Sequence, residues 1–245
     1  MHIPANFAKE MVNKNYYGLL VMATRLEAGP LLDHFVADST NFRLYHGKNH
    51  WEHWIMLITG VGMVNTALFT GITLSSFSFK MAVNAGVAGS FNQQLSLGTV
   101  LRIDEDSIPE LGAEDHDAFM NLNELGIYFP EQLPLDPENK LSAFHDDSIF
   151  PSLWAQLPKG KAVTVNKAHG NAQSIEAFES EFVAELESME GAGFMMACKA
   201  LHLPFLQIRS ISNYVEPRNK ANWKMALALR NLHETLNNGL TSNKK

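Results

Sequence analysis

The sequence predicts an α/β fold built on a largely parallel sheet, in one domain. Three observations predict it. Apolar runs such as Tyr17-Gly18-Leu19-Leu20-Val21-Met22-Ala23 are continuous rather than alternating, which marks strands buried on both faces. Such runs alternate along the chain with segments of helical character. The 245 residues are 46% hydrophobic and 18% charged, enough apolar material for one large core and too much for wholesale disorder.

Taken in order, residues 1–15 are polar and read as a short extension, with the domain over residues 16–240. The run from Tyr17 to Ala23 is the first strand. After Gly29-Pro30 the chain reads as helical, because proline suits the first turn. Asn41 to His46 and Trp51 to Ile58 are two strands joined by the hairpin chemistry of Gly47-Lys48-Asn49. A helix follows Gly60-Val61-Gly62 and runs to about Leu74. Met81 to Ala85 is a short buried strand ending at Gly86, and Leu97 to Ile103 is the next. Residues 104–157, rich in Pro, Asp and Glu, read as an irregular insertion or lid with short helices. Ala162 to Val165 is a strand and Asn166 to Gly170 a turn. Phe182 to Leu186 is a strand, Gly191 to Ala200 a helix, Pro204 to Arg209 a strand and Trp223 to Leu236 the last helix.

Composition excludes several function classes. Lys+Arg 19 against Asp+Glu 26 leaves a net charge of −7, so a basic nucleic-acid footprint is missing. No Lys/Arg run suggests a membrane surface, no apolar stretch reaches the ~20 residues of a membrane helix, and the N-terminus lacks the apolar core of a secretory signal. The single cysteine, Cys198, forms no intramolecular disulfide and no cysteine-rich zinc site; a small buried hydrophobe is its default role. The expectation is a cytoplasmic domain that binds neither nucleic acid nor membrane.

In open α/β sheets ligands bind beyond the carboxyl ends of strands. That rule selects Thr24–Glu27, Thr59–Gly62, Asn84–Phe91, Val165–Gly170, Glu187–Gly191 and Arg209–Val215. Glu27 has capping-box spacing from Thr24, a structural reading that Gly29-Pro30 weakens by placing the helix start later; the other reading is catalytic. Glu190, at a strand-to-helix junction, gains from the helix dipole, or its carboxylate accepts two ribose hydroxyls. Gly60, Gly62, Gly86 and Gly89 could admit a sugar or phosphate, but for two of them packing of helix on strand is the simpler reading. No third glycine completes a dinucleotide fingerprint and no Gly-Lys-Ser/Thr follows. His46, His50 and His53 straddle a hairpin, and Glu114-Asp115-His116-Asp117 are adjacent, so solvated loops are preferred to metal sites.

The ordered set carries more than its parts. Ile58-Thr59-Gly60-Val61-Gly62-Met63-Val64-Asn65-Thr66-Ala67, Asn84-Ala85-Gly86-Val87-Ala88-Gly89, Glu187-Ser188-Met189-Glu190-Gly191-Ala192 and Pro204 to Asn213 resemble, in order and spacing, the signatures of the nucleoside phosphorylase and nucleosidase family. The resemblance spans about residues 17–238. It implies a three-layer fold with a central mixed, barrel-like β-sheet flanked by helices, no cofactor and no metal, a small-molecule purine nucleoside as partner, and a homodimer or larger homo-oligomer. Leu111-Gly112-Ala113-Glu114, Thr164-Val165-Asn166 and Ile211-Ser212-Asn213-Tyr214-Val215 resemble most the branch of that family that hydrolyses futalosine to hypoxanthine and dehypoxanthine futalosine, on an alternative route to menaquinone.

The resemblance also distributes roles. Phosphorylases of the family carry Arg where this chain has Glu27, and the hexameric bacterial type has a second Arg and a Ser matching Asn84 and Val87. A carboxylate repels phosphate and suits deprotonation of water, so Glu27 is expected to be the general base of a hydrolase. Adenine nucleosidases place an Asp at Asn213. An amide NH2 donates to the N7 and O6 of a 6-oxopurine without proton uptake, and the bond strengthens as charge spreads onto the leaving base. Glu190 is expected to hold the ribose hydroxyls, Met189 to pack on the sugar, Val165 to offer backbone bonds to the purine, and Phe91 to cover the site. Val87 and Ser212 complete the substrate-binding set. Futalosine carries a benzoate, so a local cation is needed against the acidic surface; Lys167, Arg209 and Arg218 are the candidates. The competing readings are a methylthioadenosine/S-adenosylhomocysteine nucleosidase, a purine nucleoside phosphorylase, and a non-catalytic nucleoside-binding protein.

Overall fold

The computed structural model describes residues 15–116, 118–132, 134–144 and 146–241. The extension expected over residues 1–15 lies outside them except for Asn15, which opens β1 (Asn15–Met22). Along that strand Leu20 and Met22 enter one apolar cluster, with Trp51, Trp54, Trp154, Leu232 and Leu236. Leu19 and Val21 enter another, with Phe194, Met195, Cys198 and Phe205. Successive side chains of a strand point to opposite faces, so the continuous apolar run exists because both faces are covered. This is the three-layer arrangement.

The other strands are β2 (Phe35–Ala37), β3 (Leu44–Gly47), β4 (Trp54–Ile58), β5 (Ser78–Ser90), β6 (Val100–Ser107), β7 (Gly112–Asp115), β8 (Ala118–Asn121), β9 (Lys140–Ser142), β10 (Lys159–Thr164), β11 (Leu186–Ser188) and β12 (Phe205–Tyr214). The helices are α1 (Arg25–Ala28), α2 (Met63–Ser76), α3 (Ser152–Ala155), α4 (Ala172–Glu181), α5 (Gly191–Ala200) and α6 (Met225–Thr241). The main sheet runs β11-β10-β6-β12-β5-β1-β4-β3-β2, and β11 also pairs with β5. That extra pairing closes β5, β12, β6, β10 and β11 into a barrel, with β1 to β4 as a wing. The β1–β5, β5–β12 and β6–β10 pairs are parallel, whereas β6–β12, β5–β11 and β3–β4 are antiparallel. The sheet is therefore mixed, not largely parallel. Alternation of strands and helices announces parallel crossovers, but the two barrel closures join strands distant in sequence.

Several elements differ from expectation. Trp51 belongs to a 3-10 turn (Asn49–Trp51), not to a strand. β5 continues through Gly86 to Ser90, because Ala88 and the strand end are paired with β12 and β11. The segment before β11 is a helix, α4, capped by Asn171 accepting from Gln173 N and Ser174 N; the strand itself begins only at Leu186. The 104–157 region holds the β7–β8 hairpin, β9 and α3. No helix among the described residues is long and apolar enough to cross a membrane.

Candidate active site

The catalytic candidate Glu27 is 9% exposed and lies at the barrel end of β1. The capping reading of its position holds. The capping box is complete: Thr24 Oγ1 accepts from Glu27 N at 3.1 Å, and Glu27 Oε2 accepts from Thr24 N at 3.1 Å and Thr24 Oγ1 at 3.0 Å. Gly29-Pro30 does not delay the helix, because α1 starts at Arg25 and the proline falls in a following 3-10 segment (Gly29–His34). The other carboxylate oxygen, Oε1, accepts from Val87 N at 3.2 Å. A Cβ on Gly86 would lie 2.8 Å from Oε1 and 3.0 Å from Arg209 Nη1, so only glycine lets β5 pass this close. From the far end of the chain, His233 Nε2 donates to the Glu27 carbonyl at 2.6 Å.

Glu190 ends the β11–α5 junction, 8% exposed, and does not cap its own helix. Its Oε1 accepts from Gly62 N at 3.1 Å and its Oε2 from Met189 N at 3.3 Å. Gly62 has φ +102°, a left-handed backbone that turns its N–H toward this carboxylate. Gly60 is left-handed as well, and Gly86 and Gly89 make room for side chains of the site. Close approach of a helix side chain to the strand fits Gly86, where Glu27 of α1 lies against β5.

Between the carboxylates stands Arg209, 1% exposed, whose Nη2 donates to Asn84 Oδ1. Burial pulls its guanidinium below the ordinary range, and the charges of Glu190, Glu27 and Asp106 oppose that pull. Burial, with the Glu190 charge, raises the Glu27 carboxyl; the Val87 N–H, Arg209 and Thr24 act against the rise. Asp106, fully buried beneath α5, accepts from Thr164 Oγ1 at 2.9 Å and Gln207 Nε2 at 3.0 Å, and burial pushes its carboxyl up to about 6. Thr164 Oγ1 in turn accepts from Ala192 N at 2.8 Å. Asp106 thus ties the end of β10, next to Val165, to the first turn of α5, next to Glu190.

Asn213 faces Gly89, where an added Cβ would lie 3.3 Å from its Nδ2. Its Oδ1 accepts from Ser212 Oγ at 2.8 Å and its Nδ2 donates to Tyr214 O at 2.9 Å. The Ser212 hydroxyl fixes which way the amide points and leaves the second Nδ2 hydrogen free to donate. Ser212 itself is 2% exposed and also reaches Ala88 O at 3.2 Å, so it sits behind Asn213 as its support. Gly86 to Gly89 of β5 is the spine that brings Glu27, Val87, Ser212 and Asn213 together.

The remaining predicted residues divide. Met189 is half-buried beside Glu190. The Val165 side chain is fully buried and its N–H donates to Ser188 O at 2.9 Å, so only its carbonyl remains to meet a purine. Phe91 stacks on Phe178 at 5.2 Å and meets the His169 ring at 6.2 Å. Lys167 and Arg218 are exposed; Arg218 packs on the Trp223 ring at 5.1 Å and its N–H donates to Gly170 O at 3.0 Å. His46 is held by Asp38 at 2.9 Å, and among the described residues no His, Cys, Asp and Glu group could hold a metal ion. Sequence reading gave no role to Asp106, Glu187 or His169, and saw Thr24 only through its capping-box spacing from Glu27. Only the Thr24–Glu27 spacing carried a local signal for any of them.

A futalosine hydrolase of Streptomyces coelicolor is 28% identical over 191 residues, 76% of this chain and 77% of that one. A 5'-methylthioadenosine/S-adenosylhomocysteine nucleosidase of Tolumonas auensis is 29% identical over 179 residues, 69% of this chain and 72% of that one. The solved structure of a futalosine hydrolase mutant of Helicobacter pylori shares the fold at TM-score 0.75 and 18% identity, covering 93% of this chain and 99% of that one. The family model of the phosphorylase superfamily matches residues 19–238. With its closed mixed barrel and nearly its whole length matched, this chain belongs to the phosphorylase superfamily.

Proposed function

We propose that the chain hydrolyses the N-glycosidic bond of a 6-oxopurine nucleoside, with futalosine as the substrate and hypoxanthine and dehypoxanthine futalosine as products. The observation that carries this reading is the charge at the site: one buried guanidinium, Arg209, faces three carboxylates, Glu27, Glu190 and Asp106. A phosphate dianion brought there meets net repulsion, whereas a neutral water does not. Hydrolysis is favoured over phosphorolysis on that ground.

In this mechanism Glu190 accepts the ribose hydroxyls, with Met189 against the sugar. The C1′–N9 bond stretches toward an oxocarbenium-like state. Glu27, its proton affinity raised by burial, takes a proton from the water that attacks C1′. Asn213, aimed by Ser212, donates its one free Nδ2 hydrogen to the N7–O6 edge as negative charge builds on the base. The Val165 carbonyl, whose own N–H is already engaged by Ser188, is the backbone group left to meet the purine. Phe91 covers the base from its aromatic stack. Arg218, exposed at the end of the 165–170 loop, is the cation assigned to the substrate carboxylate; Arg209 is too deeply buried for it.

The adenine-nucleosidase reading is supported by the Tolumonas relative and opposed by Asn213. Incubation with futalosine, inosine and methylthioadenosine, with and without phosphate, decides among the readings. Phosphate-independent release of hypoxanthine is expected. Release of adenine alone, dependence on phosphate, or tight hypoxanthine binding with no cleavage each overturns it. We further propose a cytoplasmic homodimer or larger homo-oligomer on the route to menaquinone. Exposed Val64, Leu68 and Ile72 form an apolar stripe along α2, with exposed Val61 just before it, suited to burial between copies; sedimentation as a monomer would refute the assembly.

A further inference from the structure

We infer that His169, held by Glu187, is a specificity-determining contact that accepts the N1–H of the purine. The inference rests on the hypoxanthine reading above and adds to it a residue pair that this reading does not use.

The pair is a clamp. Glu187 Oε1 accepts from His169 N at 3.0 Å, and Glu187 Oε2 accepts from His169 Nδ1. The side chains are 6% and 9% exposed, and the imidazole lies 4.7 Å from the Phe178 ring. The loop that starts at Val165 is therefore pinned to β11 twice: Val165 N donates to Ser188 O, and His169 is gripped by Glu187. Facing a carboxylate oxygen, Nδ1 is the donor, and the tautomer that carries its hydrogen there presents a lone pair at Nε2. Among the described residues Nε2 has no hydrogen-bond partner. The ring is held through Nδ1, the backbone N–H is held beside it, and Nε2 is left without a protein partner and not sealed in the core, open to a ligand.

The clamp stands beside Asn213. Glu187 is the direct antiparallel partner of Gly89, and residues directly opposite each other point to the same face. That face of Gly89 is shared by the Val215 side chain and the Asn213 amide, 3.0 and 3.3 Å from an added Cβ. A 6-oxopurine that turns its N7–O6 edge to Asn213 presents N1–H next to O6. Adenine presents N1 there as an acceptor, which would face the His169 lone pair. The clamp thus separates the two bases by the direction of one hydrogen bond.

Glu187→Gln reverses that direction without removing the ring. The variant's amide oxygen accepts His169 N–H, its NH2 donates to Nδ1, and the hydrogen moves to Nε2. The ratio of kcat/KM for futalosine to kcat/KM for its 6-amino counterpart is expected to fall at least tenfold, chiefly through KM. His169→Phe keeps the aromatic packing, deletes the acceptor, and should lower the ratio less. A purely structural clamp would lower both substrates alike. Folded variants that keep the wild-type ratio overturn the inference. Independently of both, carbethoxylation of wild-type His169 is followed by peptide mass spectrometry. Hypoxanthine should protect it and adenine should not. An unprotected His169, one protected equally by adenine, or one that the reagent never reaches overturns the inference. Failure of the broader reading shows separately, as wild-type protein that cleaves no 6-oxopurine nucleoside.

Discussion

Replacing Glu27 with glutamine tests the general base directly. The side chain keeps its shape, so the change is one of protons and hydrogen bonds. A general base contributes roughly 10²- to 10⁴-fold, so hypoxanthine release should fall by that factor, about 2.7 to 5.4 kcal/mol of barrier. The hydrogen-bond pattern adds a second, structural consequence. Thr24 N donates to Oε2 and Val87 N to Oε1, one backbone N–H on each oxygen. An amide has a single oxygen, so in either orientation one of these N–H groups faces the NH2. A buried unsatisfied donor costs about 1–3 kcal/mol. Part of that is offset because the carboxylate is itself disfavoured by burial, as its raised proton affinity records. Stability should drop modestly while hypoxanthine affinity persists, since Asn213 and Val165 are untouched. The wild-type rate should decline as pH falls through the raised Glu27 range, and the residual rate of the variant should lose that limb. Discontinuous release of free base, denaturant unfolding and calorimetric titration of hypoxanthine measure the three quantities. A variant that turns over at near wild-type rate refutes the assignment of the base.

Gly86→Ala puts a methyl 2.8 Å from Glu27 Oε1 and 3.0 Å from Arg209 Nη1, so turnover should fall at least tenfold while circular dichroism stays unchanged; a fully active variant would mean that the two charges need not hold their places. Asn213→Asp should depress release of hypoxanthine and make it depend on a protonated acid, with activity falling as pH rises; retained activity at high pH would count against the amide as donor. For Asp106 the folded carboxyl is raised from the ordinary 3.8 to about 6. The folded state therefore holds this proton better, a stabilisation present below 3.8 and lost as pH rises through about 6. The stability advantage of wild type over Asp106→Asn should accordingly shrink by up to ~3 kcal/mol between about pH 4 and pH 7. A constant gap across that range in urea unfolding would place the proton elsewhere.

Much of this molecule was legible locally. Continuous apolar runs located β1 and β12 because both faces of these strands are buried. Thr24, three residues before Glu27, announced the capping box, and the ordered glycine and carboxylate motifs marked the strand ends that form the site. These signals are short-range: side-chain periodicity, caps and turn chemistry act within a few residues of the chain. What tertiary structure decided is long-range. Closure of β11 on β5 made the sheet a mixed barrel and set Glu187 opposite Gly89, some hundred residues away. It carried β5 past Gly86 and set Arg209 among three carboxylates drawn from three other segments. It also spent the Val165 N–H on Ser188 and bound Glu27 to His233. The sequence by itself determined which residues could do this chemistry; burial and the neighbours supplied by distant strands decided their proton affinities, their free hydrogen-bonding atoms and their directions. A side chain's charge and donor geometry depend on everything packed around it, and that is not written next to it in the chain.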